Sequence, residues 1–169
     1  MSTTVYLNIG SNTGDRHAFI SRAVDALRNT QLFREAACRL SEIVESEPWG
    51  YDSGQAYLNI GVAFTFENRG EWTADALEGL LDTVQAAERS VSKMPHRNAD
   101  GTYRDREVDI DIVAVDEIEY ESARLVLPHR QMHKRAFVLK PMAELAPKWR
   151  HPRLKLIANK LLNNLKTEN

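Results

Sequence analysis

Three segments of the chain alternate between apolar and polar residues, the pattern of β-strands that bury one face. The apolar positions are Val5, Leu7 and Ile9; Leu58, Ile60, Val62, Phe64 and Phe66; and Val108, Ile110 and Ile112. The opposite faces carry Tyr6 and Asn8; Tyr57, Asn59, Gly61 and Thr65; and Asp109 and Asp111. A weaker fourth strand is predicted over about residues 36–46. Such sheets are typically antiparallel or mixed, with helices on the apolar side.

Helical periodicity supplies the elements that would cover this apolar face. The first helix is marked by Ile20, Val24 and Leu27, the second by Leu77, Leu80, Leu81 and Val84, and a C-terminal helix by Leu154, Ile157, Leu161, Leu162 and Leu165. Asn12 and Asp15 are start signals for the first helix. With a short hairpin around residues 116–124, the order predicts an α+β fold with a ferredoxin-like βαββαβ core and added C-terminal helices. We expect its helices on one face of a mostly antiparallel sheet and a ligand site on the other.

Length and composition are those of one domain. The chain has 169 residues and a net charge of −2, which argues against a bulk nucleic-acid or membrane binder. No apolar stretch approaches the ~20 residues of a membrane span. Cys38 is the single cysteine, so no disulfide framework is predicted. The N-terminal residues lack the pattern of a signal peptide, and we expect a cytoplasmic protein.

Asp109 and Asp111 share one face of the third predicted strand. Strand residues two apart are roughly 6.5–7 Å apart, and carboxylates at that spacing can hold one or two hard divalent cations. An isolated pair of this kind is more often a solvated strand face. However, aspartate is disfavoured in strands and like charges on one face repel each other, so the pair indicates a compensating cation.

Two segments concentrate positive charge. One follows the aspartates and carries His129, Arg130, His133, Lys134, Arg135 and Lys140. The other precedes them and carries Lys93, His96, Arg97, Arg104 and Arg106. Arginine offers paired donors to phosphate oxygens, and lysine and histidine add charge. The functional interpretation is a pair of phosphate-binding segments. The alternative for the first is a solvated basic turn.

Aromatic and amide side chains form a third candidate site. Trp49 lies in a loop marked by Pro48 and Gly50, where an exposed aromatic ring is costly unless it binds something. Asn59 can donate and accept at once, as recognition of a heterocycle requires, and Tyr57 and Phe137 offer ring faces. Alternatively, Trp49 and Phe137 are satellite core residues. The turn over residues 10–16 lacks the spacing of a phosphate-binding loop and is interpreted as a tight turn.

Taken together, these segments resemble the 6-hydroxymethyl-7,8-dihydropterin pyrophosphokinase family of folate biosynthesis. Four blocks in the same order carry the resemblance, namely residues 6–16, residues 46–50 with 57–59, residues 106–111, and residues 127–135 with Phe137. The resemblance extends to about residue 147, which is most of the chain. It implies one pyrophosphokinase domain over residues 1–169, in which ATP delivers its β,γ-diphosphate to the hydroxymethyl group of the pterin and AMP is released.

The resemblance also implies roles for individual residues. Asp109 and Asp111 would be catalytic and would hold two Mg²⁺ ions that bridge the triphosphate of the co-substrate ATP. The implied pterin-binding residues are Ser46, Trp49, Tyr57, Asn59 and Phe137, and the implied ATP-binding residues are His129, Arg130, Arg135, His96 and Arg97. Lys93 and Arg106 are implied as further catalytic residues, although residues 92–106 depart from the usual family pattern and Lys93 would replace an arginine. Glu88 occupies the position of an acidic residue that ends the second helix in the family.

Two other classes of function are compatible with parts of this pattern. A ferredoxin-like sheet with exposed aromatic residues can be an RNA-binding module, but two aspartates on the same face would repel phosphates. A catalytically idle relative that binds a partner protein is the second alternative, and the altered residues 92–106 point to it. The intact residues Asp109, Asp111, Asn59 and His129 weigh against it. We therefore expect small-molecule substrates, no nucleic-acid or membrane partner, and a monomer.

Overall fold

The structure, a computed structural model, describes residues 1–46, 56–92 and 107–167. Its strands are β1 (Ser2–Ser11), β2 (Ala37–Leu40), β3 (Val44–Ser46), β4 (Tyr57–Glu67), β5 (Asp109–Val115), β6 (Tyr120–Glu121) and β7 (Val126–Leu127). Its α-helices are α1 (Arg16–Arg28), α2 (Ala74–Val91), α3 (Ala136–Leu145) and α4 (Ala158–Thr167), with a short 3₁₀ helix at Met132–Lys134. None of the helices in these ranges is long and apolar enough to cross a membrane.

The main sheet is antiparallel. Its strand order is β2-β4-β1-β5. β3 follows β2 along the same edge of β4 and also pairs with β4. β1 lies in the centre, with Ser2 opposite Glu67 and Ser11 opposite Leu58 on one side and with β5 on the other. The predicted mixed fold with an antiparallel sheet is therefore confirmed.

The first face of the sheet is buried under α1 and α2, as the alternation predicts. Residues from both helices and from the alternating strand positions form one core, including Ile20, Leu27, Leu77 and Leu80. Asp15 caps α1, since its carboxylate accepts a hydrogen bond from the amide of Ala18. Both predicted helices thus bury the predicted stripes.

The second face is partly covered as well, so the expectation that the helices lie on one face is wrong. Tyr6, Ala63 and Val113 of the sheet pack in a second core against Leu139 and Met142 of α3. Leu161 and Leu162 of α4 complete this core. The physical reason is that α3 is apolar on more than one side and must be buried between the sheet and α4.

Gly61 allows the close approach of α3 to β4. A Cβ atom at this position would lie 2.5 Å from the Cβ of Pro141 and 3.1 Å from Cδ1 of Leu145. Gly61 also donates its amide to the hydroxyl of Ser41, the residue at which the predicted fourth strand divides into β2 and β3.

Two predicted boundaries differ from the observed ones. The C-terminal helix begins at Ala158, so Leu154 and Ile157 precede it, and Leu154 is 39% exposed. The hairpin is formed by β6 and β7 and lies a few residues later than predicted. Both differences arise because periodicity does not define where an apolar stripe leaves a helix or where a turn closes.

Candidate active site

Asp109 and Asp111 lie on the part of the second face that α3 and α4 leave accessible. Asp109 is opposite Gly10 and Asp111 is opposite Asn8 in the pairing of β5 with β1. Ile110 and Ile112 between and after them are buried in the first core, whereas both aspartates are partly exposed. The two carboxylates therefore project from one face of an outer strand, as the alternation predicts.

A β-bulge brings His129 to this pair. Leu7 lies opposite Ile112 and Tyr6 lies opposite Ala114, so Val113 is an extra residue in β5. The carbonyl oxygen of Val113 accepts a hydrogen bond of 2.8 Å from the amide of His129. This bond places Nε2 of His129 4.0 Å from Oδ1 of Asp111.

The imidazole of His129 is neutral. Burial, and to a smaller extent the positive charge of Arg135, lowers the pKa of His129 to about 4 against a smaller opposing effect of Asp109. Its Nδ1 accepts a hydrogen bond from the amide of Gln131 at 3.1 Å. The proton is therefore on Nε2, and an N–H group faces Asp111.

A cleft of about 650 Å³ contains the aspartates. Its lining includes Asp109, Asp111, His129, Arg130, Glu88, Arg89 and Arg124. Arg130 is 65% exposed, and its Nη2 lies 3.7 Å from Oε1 of Glu121. Both signs of charge thus meet in one open cleft, which suits an anion that arrives with a bound cation.

Only some residues of the predicted basic segment line this cleft. Arg135 lies with its guanidinium carbon 5.7 Å from the centre of the Phe137 ring. His133 instead lines a smaller cavity of about 130 Å³ together with His151 and Arg153. Lys134 and Lys140 are exposed and do not line the cleft.

Asn59 is held on the neighbouring strand β4. Its side chain is 3% exposed, and its Nδ2 donates to the hydroxyl of Ser46 at 2.9 Å. This bond turns Oδ1 towards Gly10 of β1, where a Cβ atom would lie 2.8 Å from that oxygen and 3.4 Å from Cδ1 of Tyr57. The absent side chain of Gly10 therefore leaves room for both residues.

Gly10 also connects the two halves of the site. It pairs with Asn59 of β4 on one side and with Asp109 of β5 on the other. The polar and aromatic residues on β4 and the acidic residues on β5 are thus separated by a single strand. The sequence pattern predicts only a tight turn that begins at Gly10. A glycine at a strand end, on the face that carries Tyr6 and Asn8, was the available signal for its role.

Asn8 is a second residue that the sequence interpretation did not assign to the site. It is buried, and its Nδ2 donates to the carbonyl oxygen of Phe137 at 3.0 Å. Since Asn8 lies opposite Asp111, this bond anchors the start of α3 beside the acidic pair. The partly buried ring of Phe137 is thereby carried on the same side of the sheet as Asp111.

Five of the predicted site residues lie outside the described residues. They are Trp49, Lys93, His96, Arg97 and Arg106. Next to Tyr57, Nη1 of Arg16 donates to the carbonyl oxygen of Ala56 at 2.8 Å. Asp109, Asp111, His129 and Arg130 share the cleft, and Ser46, Asn59 and Tyr57 lie next to one another beside Gly10.

The donor set fits Mg²⁺ better than a transition metal. Two partly exposed carboxylates in an open cleft offer the hard oxygen ligands that Mg²⁺ prefers, and Mg²⁺ is usually completed by water and substrate phosphates. The neutral His129 has no free lone pair to offer, because Nδ1 already accepts a hydrogen bond. Among the described residues no group of three or more His, Cys, Asp or Glu side chains could hold a metal. A closed site of the zinc type is therefore not formed by these residues.

Comparisons with known proteins agree with this geometry. The family model for 7,8-dihydro-6-hydroxymethylpterin-pyrophosphokinase (HPPK) matches residues 6–147. A 2-amino-4-hydroxy-6-hydroxymethyldihydropteridine pyrophosphokinase of Porphyromonas gingivalis is 39% identical over 149 residues, which cover 88% of this chain and 93% of that protein. Proteins of the same name from Methylorubrum extorquens and Aquifex aeolicus are 35% and 31% identical, and the matches cover 84% and 92% of those proteins.

A solved structure shows a similar fold. The crystal structure of an HPPK-DHPS in complex with substrates superimposes with a TM-score of 0.65 over 99% of this chain, at 11% identity. This chain spans 44% of that longer protein, so the likeness concerns one part of it. On the match over residues 6–147 and the identity to three named relatives, the chain belongs to the 7,8-dihydro-6-hydroxymethylpterin-pyrophosphokinase (HPPK) family.

Proposed function

We propose that this chain carries out the reaction of its family at the cleft around Asp109 and Asp111. The reaction is the transfer of pyrophosphate from ATP to the hydroxymethyl group of 6-hydroxymethyl-7,8-dihydropterin in folate biosynthesis. The hydroxyl oxygen of the pterin forms a bond to the β-phosphorus of ATP and loses its proton to water, the bond from that phosphorus to the α,β-bridging oxygen breaks, and AMP leaves. Such transfers depend on in-line positioning and on neutralisation of charge more than on a covalent intermediate.

The acidic pair would bind ATP through metal ions, and the basic residues would contact it directly. Asp109 and Asp111 would hold two Mg²⁺ ions against the triphosphate, and the bound ions would supply positive charge to its oxygens. His129 and Arg130, which line the cleft, and Arg135 would face the nucleotide, with His129 donating from Nε2. Lys93, His96, Arg97 and Arg106 are proposed to contact the phosphates as well, on the basis of their positions in the sequence alone.

The pterin is proposed to lie beside Gly10. Asn59 would hydrogen-bond to the edge of the ring through Oδ1, because its Nδ2 is engaged by Ser46. Tyr57 and Phe137 would enclose the two faces of the ring, and Trp49 would line the pocket. Ring stacking and a buried amide together would fix the direction of the hydroxymethyl group.

One observation carries this proposal. Gly10 pairs with Asn59 on one side and with Asp109 on the other, so a heterocycle held at Asn59 lies one strand away from phosphates held at Asp109. Neighbouring strands are roughly 4.7–4.9 Å apart, so Asn59 on β4 and Asp109 on β5 lie two spacings, roughly 9–10 Å, apart, a separation that a pterin ring carrying a hydroxymethyl group can span. The strand order β2-β4-β1-β5 also supports assignment of the core to the ferredoxin-like class.

Release of AMP tests the proposal directly. Purified protein is incubated with ATP and MgCl₂, with and without 6-hydroxymethyl-7,8-dihydropterin, and AMP is quantified by chromatography. We expect AMP only when the pterin is present, and less than one tenth of the wild-type rate with Asp111→Ala. Absence of pterin-dependent AMP release would refute the proposal and would favour a catalytically idle relative. A cytoplasmic location and a monomeric state remain predictions.

A further inference from the structure

We infer that Glu88 is a positioning residue for Asp109 and Asp111, acting through the backbone amide of the residue between them. The inference rests on the proposed function only in that it takes the two aspartates as the cation-binding pair. Glu88 lies in the last turn of α2, and its Oε2 accepts a hydrogen bond of 2.7 Å from the amide of Ile110.

This hydrogen bond is made on the outer side of β5. β5 is the last strand of its sheet, and a last strand presents backbone groups that have no neighbouring strand to pair with. The Glu88 carboxylate supplies the acceptor that another strand would otherwise supply. A hydrogen bond to an ionised carboxylate is short and roughly twice as strong as one between neutral groups.

The surroundings of Glu88 are unfavourable for a negatively charged side chain. α2 ends at Val91, and the carbonyl ends of helices disfavour negative side chains. Glu88 also brings a third carboxylate into the cleft that holds Asp109 and Asp111. An acidic residue at this place therefore needs a compensating contact, and the amide of Ile110 provides one.

The consequence concerns the two aspartates. A fixed Ile110 amide restricts ψ of Asp109 and φ of Ile110, the backbone rotations on either side of the peptide unit between them, and with them the relative direction of the two carboxylates. Loss of the acceptor would let the edge of β5 move without exposing the core residues on its inner face. Groups that orient metal ligands typically contribute 10- to 100-fold to metal affinity or activity when removed.

Three variants separate this role from a merely structural one. Glu88→Ala removes the acceptor, Glu88→Gln keeps an acceptor oxygen at the same reach, and Asp75→Asn removes an exposed carboxylate from the other end of the same helix. Binding of Mn²⁺, as a spectroscopic substitute for Mg²⁺, is titrated by electron paramagnetic resonance without nucleotide. Exchange of the Ile110 amide is followed by NMR, and thermal unfolding shows whether each variant folds.

We expect Glu88→Ala to weaken Mn²⁺ binding by about 10-fold or more and to lose protection of the Ile110 amide. Glu88→Gln should restore the protection and most of the affinity, and Asp75→Asn should match the wild type. Mn²⁺ affinity within twofold of wild type in Glu88→Ala, or equal losses in the alanine and glutamine variants, would overturn the inference. Failure of the wild type to release AMP in the presence of the pterin would instead count against the proposed function.

Discussion

Replacement of Gly10 by alanine is the perturbation that the structure defines most sharply. The added Cβ would lie 2.8 Å from Oδ1 of Asn59, closer than such atoms approach in folded proteins. Asn59 is buried and tied to Ser46, so its amide can move away only by breaking that hydrogen bond. The alternative is a separation of β1 from β4, which would disturb the centre of the sheet.

The expected magnitudes follow from these contacts. The lost hydrogen bond contributes about 0.5–1.5 kcal/mol, and overpacking typically costs about 1–3 kcal/mol. In a strand, alanine would otherwise be favoured over glycine by roughly 0.5–1 kcal/mol. We therefore expect a net loss of about 1–3 kcal/mol in the free energy of unfolding. Pterin affinity should fall by at least about tenfold, which corresponds to 1.4 kcal/mol.

Urea unfolding and isothermal titration with the pterin measure the two effects. Gly79→Ala is a matched control, because, apart from the backbone of helix α2 itself, no atom of the described residues lies within 4 Å of a Cβ at Gly79. That control should bind the pterin normally and gain about 0.8–1 kcal/mol of stability. Pterin affinity within twofold of wild type in Gly10→Ala would refute the reasoning, since it would show that Oδ1 of Asn59 need not occupy this space.

Three further predictions concern other contacts of the structure. Asn59→Ala should weaken pterin binding far more than ATP binding in titrations, and equal losses would move Asn59 out of the pterin pocket. Gly61→Ala should destabilise the fold by about 1–3 kcal/mol in urea, because its Cβ would collide with Pro141; wild-type stability would contradict the packing of α3 on β4. Burial lowers the pKa of His151, so the unfolded chain takes up its proton first and stability should fall as the pH drops below about 6.5. His151→Asn should reduce this fall in unfolding measured across the pH range, and an unchanged slope would show that another group is responsible.

The alternation of residue types by itself determined the two faces of each strand. Ile110 and Ile112 are buried and Asp109 and Asp111 are not, because neighbouring residues of a strand must point to opposite sides. The same argument applies to Ile20 and Leu27 of α1, where helical spacing determines the buried side. These inferences needed only local geometry, so they required no knowledge of how the segments pair.

The tertiary structure decided which of these residues meet. Gly10 lies between Asn59 and Asp109 only because β1 pairs with β4 and β5 in one particular register, and a shift by one residue would reverse every side chain. The position of His129 depends in addition on the extra residue Val113, whose carbonyl oxygen holds it. Periodicity contains no information about register or bulges, since these follow from the packing of the complete sheet.

Coverage of the second face was likewise settled by packing. α3 has apolar residues on several sides, which alone is compatible with burial anywhere in the protein. It lies on β4 because Gly61 leaves space for Pro141, and its start is anchored by the bond from Asn8 to Phe137. The residue types of the site could thus be predicted from local pattern and resemblance, whereas contacts between distant segments depend on the free energy of the whole fold.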